Sequence, residues 1–106
     1  MRSAWVYILR CSDNSYYTGS TVDIERRLPE HVQGIHDGYT AARRPVELIW
    51  CEELPSAYDA FLVERQIKGW TRAKKEALIR GDFDLLKELA RSTRTKLKKS
   101  KDISTV

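Results

Sequence analysis

Cysteine is scarce in this chain of 106 residues, occurring only as Cys11 and Cys51. Two thiols so far apart exclude the dense disulfide scaffold of small secreted domains, and they lack the clustered spacing of a zinc site. Each closes an apolar run, so both are expected as small buried residues in a reducing compartment. Long apolar runs are also missing, and none approaches the about 20 residues that a membrane-spanning helix needs. The opening MRSAWVYILRC alternates and flows straight into Asp13-Asn14. It reads as a strand rather than a signal peptide, and the cytoplasm is the expected location. With only five glycines, the chain holds no phosphate loop of the P-loop or dinucleotide type. It also lacks a nucleophilic serine elbow and a carboxylate pair suited to sugars.

Charge of one sign is concentrated at one end. The net charge is +4, yet residues 91–106 carry Arg91, Arg94, Lys96, Lys98, Lys99 and Lys101 against Asp102 alone. Residues 1–90 are therefore nearly neutral, and a high isoelectric point says little about the folded part. Apolar residues make up 42%, enough for one compact core over residues 1–90. The polar, cationic stretch 91–106 is expected as a disordered tail.

What is present reads in chain order as strands and helices. Trp5 to Cys11 is apolar on both faces, the mark of a central strand. Ser12 to Ser15 forms a turn around Asp13 and Asn14, and Tyr16 to Gly19 returns as the second strand. Gly19 is expected to let the chain leave the sheet. Asp23, or alternatively Thr21, caps a first helix whose inward positions are Ile24, Arg27, Leu28 and His31. Pro29 predicts a kink or a broken last turn. Gly34 to Arg44 is a loop, and Val46 to Glu52 a third strand. Ser56 opens a second long helix through a capping box with Asp59. Thr71 caps a short basic helix, Arg72 to Arg80, and Asp82 caps a last helix through Ala90. The fold class is α+β: a small three-stranded antiparallel sheet flanked by helices.

Several polar residues stand where core residues belong. Glu64 falls in one helical arc with Ala57, Ala60, Phe61, Val63 and Ile67. A buried carboxylate costs several kcal/mol, roughly, unless it is paired, metal-bound or protonated. With Tyr7, Tyr17, Arg27 and His31 it supplies a carboxylate for one hard divalent cation, a guanidinium for an anion, and phenol and imidazole groups for protons. Phosphodiester hydrolysis requires that set. An ion pair between Glu64 and Arg27, with no metal, is the duller alternative.

The order of short motifs resembles the GIY-YIG nuclease superfamily. Trp5-Val6-Tyr7, with Tyr17-Thr18-Gly19 following Tyr7 by ten positions, looks like its paired signature. Asp23-Ile24-Glu25-Arg26-Arg27-Leu28, with His31 four residues beyond Arg27, looks like its catalytic helix. Val63-Glu64-Arg65 falls where the family keeps its metal-binding glutamate. The likeness spans about residues 3–80 and is to a branch of short, single-domain bacterial members. It implies that Tyr7 is the general base or its close partner, and that Tyr17 orients the attacking water or the scissile phosphate. It further implies that Arg27 contacts the phosphate, that His31 assists proton transfer or binds phosphate, and that Glu64 holds one Mg2+ or Mn2+ ion. The expected geometry is a single shallow cleft lined by all five.

Arg43, Arg44, Lys68, Arg72, Lys74 and Lys75 are the candidate phosphate contacts, and DNA is expected as partner ahead of RNA. The expected function is thus a metal-dependent DNA endonuclease. Trp5 replaces the first signature glycine, and Thr18 an isoleucine or valine. Asn14 is the only asparagine in the chain, so the asparagine that many members carry after the glutamate helix is absent, with Gln66 or a lysine as substitute. That absence motivates the alternative, a nucleic-acid-binding module of the same fold with little catalysis. A protein-interaction adaptor using the tail is a third reading.

Overall fold

The computed structural model describes residues 2–36 and 38–89; the expected tail lies outside them, as does the end of the last helix at Ala90. Two compact units follow each other along the chain, the first ending at Gly69 and the second starting at Trp70.

The first unit is built on β1 (Ala4–Arg10), β2 (Tyr16–Thr21) and β3 (Glu47–Leu54), all antiparallel in the order β2-β1-β3. β1 is central, as its apolar pattern on both faces requires, and Val6, Tyr7, Ile8 and Leu9 are fully buried. Burying each such side chain contributes about 1.5–3 kcal/mol. The β1–β2 turn is tied by Asp13, whose Oδ1 accepts from the Ser15 backbone N–H at 3.0 Å and its hydroxyl at 2.6 Å. Asn14 adopts the left-handed conformation there, at φ 71°. β3 runs two residues further than expected, to Leu54, with a register shift opposite Ile8 and Leu9. Its outer positions Glu47, Cys51, Glu52 and Glu53 are exposed. Cys51 therefore departs from the expected burial: β3 is an edge strand, and the side chain gains no second layer. Cys11 is buried as expected, and that burial raises its thiol pKa.

Three helices complete this unit: α1 (Ile24–Gln33), α2 (Gly38–Ala41) and α3 (Ala57–Lys68). Asp23 is the cap of α1, accepting from the Arg26 N–H, whereas the alternative Thr21 accepts from the Asp23 N–H ahead of the helix. α1 continues through Pro29 to a left-handed Gly34, so the expected break does not occur; Pro29 lies exposed. Ser56 caps α3, which packs on β1 and β2 through the buried Ala60 and Ile67. Phe61, expected inward, is 47% exposed. It lies one residue, about 100°, beyond Ala60, which already meets the sheet.

The second unit contains α4 (Arg72–Arg80), capped by Thr71 and ended by a left-handed Gly81. A helical run over residues 83–89 follows, its start capped by Asp82 through the Leu85 N–H. No helix among the described residues is long and apolar enough to cross a membrane.

Candidate active site

The β1–β2 register sets the first half of the site. Tyr7 pairs with Gly19, and the missing Cβ of Gly19 makes room for the phenol: a Cβ there would meet Tyr7 Oη at 2.5 Å and Tyr17 Cε2 at 3.1 Å. Gly19 lies inside β2 at a non-positive φ, so its small size serves this close approach and not an exit from the sheet.

Tyr7 Oη lies 2.8 Å from His31 Nε2 on α1, and His31 Nδ1 lies 2.8 Å from Thr40 Oγ1 on α2. All three are almost completely buried, at 1%, 0% and 0% exposure. Tyr17, half-buried, adds a third ring, with centroids 5.2 Å from His31 and 6.4 Å from Tyr7. Tyr39 stacks on Tyr17 at 6.0 Å and 30°, and the His36 ring meets His31 edge-on at 4.8 Å.

Arg43 anchors the outer side of this ring cluster. Its guanidinium lies 3.8 Å over the Tyr39 ring, and its Nε donates to Asp13 Oδ2 at 3.1 Å, which ties α2 to the hairpin turn. The Asp13 carboxyl is held below its ordinary range by the Ser15 side-chain and backbone hydrogen bonds, with a smaller contribution from Arg43. Arg44 crosses Gly34 and donates to the Ala41 and Gln33 carbonyls, both at 3.3 Å.

Arg27 is half-buried on α1, where its Nε donates to Glu30 Oε1 at 3.2 Å. Glu64 meets the hairpin through the residue after Gly19. Its Oε1 accepts from the Ser20 hydroxyl at 2.5 Å, its Oε2 lies 2.7 Å from Lys68 Nζ, and its side chain is only 17% exposed. The half-buried acid is thus paired, but with Lys68 instead of Arg27. Neighbouring strand residues face opposite sides of a sheet, so Gly19 and Ser20 carry the phenol–imidazole half and the carboxylate half to opposite sides of the edge strand β2.

Of the residues singled out in the sequence, Tyr7, Tyr17 and His31 come together. Glu64 reaches the same hairpin from the other side of β2 and Arg27 pairs with Glu30, so the five do not line the single cleft expected. Arg72, Lys74 and Lys75 belong to the second unit. There Arg72 pairs with Glu76 at 3.0 Å, Lys74 lies 5.0 Å from the Trp70 ring, and partial burial lowers the Lys75 pKa. Tyr39, Thr40, His36 and Ser20 were not foreseen. One signal was available: the chain has two histidines, and the fold brings both into the same cluster.

The donor set fits one hard cation of a particular kind. No group of three or more His, Cys, Asp or Glu side chains that could hold a metal exists among the described residues. Mg2+ is commonly held by one or two carboxylates, with waters and substrate phosphates completing its shell. Glu64, with the Ser20 hydroxyl beside it, suits an ion shared with a substrate.

The fold and this site have counterparts among known proteins. Residues 3–77 match the GIY-YIG catalytic domain, so the chain belongs to the GIY-YIG nuclease family. Nucleases of this family act on nucleic acid and generally use a divalent metal. A UPF0213 protein of Natronomonas pharaonis is 45% identical over 75 residues, covering 71% of this chain and 88% of that one. A UPF0213 protein of Syntrophus aciditrophicus is 47% identical over 81 residues, covering 76% and 93%. Among solved structures, the UPF0213 protein BH0048 from Bacillus halodurans is similar at a TM-score of 0.50 and 40% identity, covering 74% of this chain and 83% of that one. The protein EF2693 from E. faecalis matches at a TM-score of 0.54 and 39% identity, covering 80% and 90%.

Proposed function

We propose that this protein is a metal-dependent endonuclease that hydrolyses DNA phosphodiester bonds in the cytoplasm, using one Mg2+ or Mn2+ ion at Glu64. The observation that carries the reading is the 2.8 Å contact between Tyr7 and His31, two residues 24 positions apart and buried together beneath Tyr17. A phenol hydrogen-bonded to an imidazole is a pair able to take up a proton.

The scissile phosphate lies across the rim of β2, between the two halves of the site. Tyr17 orients the attacking water or the phosphate. The Tyr7–His31 pair receives the proton from that water. Arg27, released from Glu30, offsets the charge that develops on the phosphoryl oxygens. Glu64 would hold the divalent ion, which when bound would supply Lewis-acid stabilisation of the phosphoryl oxygens and of the leaving alkoxide. Arg43, Arg44 and Lys68 contact the phosphate backbone, as do Arg72, Lys74 and Lys75 from the second unit.

One observation favours the second reading, a nucleic-acid-binding module with little catalysis. Lys68 already neutralises Glu64 at 2.7 Å, as an acid without a metal would require. Incubation with nicked, supercoiled and branched DNA, and with RNA, in the presence of Mg2+ separates the two. The nuclease reading expects DNA cleavage that Glu64→Ala and Arg27→Ala abolish. Salt-sensitive binding without turnover, unaffected by Glu64→Ala, would establish the binding module.

A further inference from the structure

The Tyr7–His31 pair does not end at the imidazole. We infer that Thr40 is a positioning residue: its hydroxyl accepts from His31 Nδ1–H and so keeps the Nε2 lone pair turned to the Tyr7 phenol. The catalytic part of this inference rests on the nuclease reading above, whereas the tautomer assignment does not.

A neutral imidazole carries one N–H, so one ring nitrogen donates and the other accepts. Each nitrogen of His31 has a hydroxyl at 2.8 Å, Tyr7 Oη on Nε2 and Thr40 Oγ1 on Nδ1. His31 is 0% exposed, so no solvent at its ring substitutes for either partner, and a buried polar group left unmatched costs about 1–3 kcal/mol. Two arrangements satisfy both contacts: Tyr7 donates and Thr40 accepts, or the reverse.

The chemistry of the two hydroxyls selects the first. A phenol, with a pKa near 10, is a much stronger donor than an aliphatic alcohol. An aliphatic hydroxyl such as that of Thr40 accepts as readily as it donates. Thr40 accepting and Tyr7 donating puts the stronger donor on the donating side.

The consequence for proton transfer is direct. As Tyr7 receives a proton from the attacking water, its own O–H proton passes to His31 Nε2. The water becomes hydroxide, Tyr7 ends neutral, and His31 ends as an imidazolium whose Nδ1–H is still held by Thr40. With the opposite tautomer Nε2 already carries a proton, and this transfer is blocked.

The test is 15N NMR of the histidine rings in the full-length, metal-free protein, with His36→Gln to separate the two rings. The expected spectrum has a protonated Nδ1 and an unprotonated Nε2 at His31. In Thr40→Val, which keeps the shape but removes the hydroxyl, the protonated position should move wholly or partly to Nε2, and Thr40→Ser should restore the parent pattern. DNA cleavage should fall about tenfold or more in Thr40→Val and recover in Thr40→Ser, the size of effect seen when a second-layer hydrogen bond is lost. An Nε2–H tautomer in the parent would overturn the inference, as would an unchanged spectrum or unchanged cleavage in Thr40→Val. If Thr40→Val does not fold, the parent and Thr40→Ser spectra still decide the tautomer. Absence of any cleavage by the parent, with the expected tautomer present, would reject the nuclease reading and leave the assignment of Thr40 intact.

Discussion

Gly19 faces Tyr7 across the β1–β2 ladder so closely that a methyl group on Gly19 would stand 2.5 Å from the phenol oxygen. The phenol is in turn committed to His31 at 2.8 Å. Gly19→Ala therefore forces the Tyr7 ring aside and breaks the contact on which the proposed proton transfer depends. Overpacking of this kind costs about 1–3 kcal/mol. Thermal melts should show a lowered Tm, and DNA cleavage should be lost well beyond what the stability change explains. A variant as stable and as active as the parent would mean that the phenol has other room to occupy.

Lys68 and an incoming metal ion compete for Glu64. Replacing Lys68 by methionine removes the ammonium at 2.7 Å while keeping most of the stem. Calorimetric titration of the free protein should give Mn2+ affinity tighter by up to about fivefold, the factor that corresponds to an ion pair of ~1 kcal/mol. Raising the salt concentration should shrink the difference. Glu64→Gln should abolish the binding altogether. Metal affinity that falls in Lys68→Met would mean that the lysine supports the ion instead of excluding it.

Arg27 separates catalysis from stability. Its ion pair with Glu30 is an i, i+3 contact within one helix, and such pairs contribute about 0.2–0.5 kcal/mol. Arg27→Ala should therefore leave urea denaturation nearly unchanged. Loss of a charge-stabilising group aimed at the transition state costs about a hundredfold or more in rate. A large stability loss without a rate effect would identify Arg27 as a packing residue.

Asp13 links the hairpin turn to acidity. Its carboxyl is held below the ordinary range in the folded protein, first by the Ser15 hydroxyl and then by the Ser15 N–H. A depressed folded pKa contributes stability that is fully present above the unfolded value, about 3.9, and is lost as the pH falls through the lower folded value. Melts across this acidic range should show Asp13→Asn losing less stability than the parent. Identical slopes for both proteins would show that the turn does not respond to this carboxyl.

Local chemistry explains what could be read from the sequence. The caps at Asp23, Ser56, Thr71 and Asp82 were legible because capping depends on two or three neighbouring residues. The central place of β1 was legible because both of its faces are apolar. Cys51 and Phe61 were misjudged because their burial depends on which edge of the sheet is covered, and no local pattern carries that information. The loop at residues 34–44 hid α2, since a four-residue helix shows no periodicity. With α2 went Tyr39 and Thr40. The role of Gly19 required the strand register, which places Tyr7 opposite it.

The two edges of the sheet are not equivalent. β3 exposes Glu47, Glu52 and Glu53 along its length, whereas β2 carries the glycine and the serine from which both halves of the site extend. Like charges along a strand edge discourage pairing with the same edge of another copy. On the proposed nuclease reading they would also repel phosphate, Glu47 least because Arg10 pairs with it at 2.7 Å, so that a polyanion is expected to approach by the β2 flank. On that reading the sheet would orient its visitor before any side chain touches it.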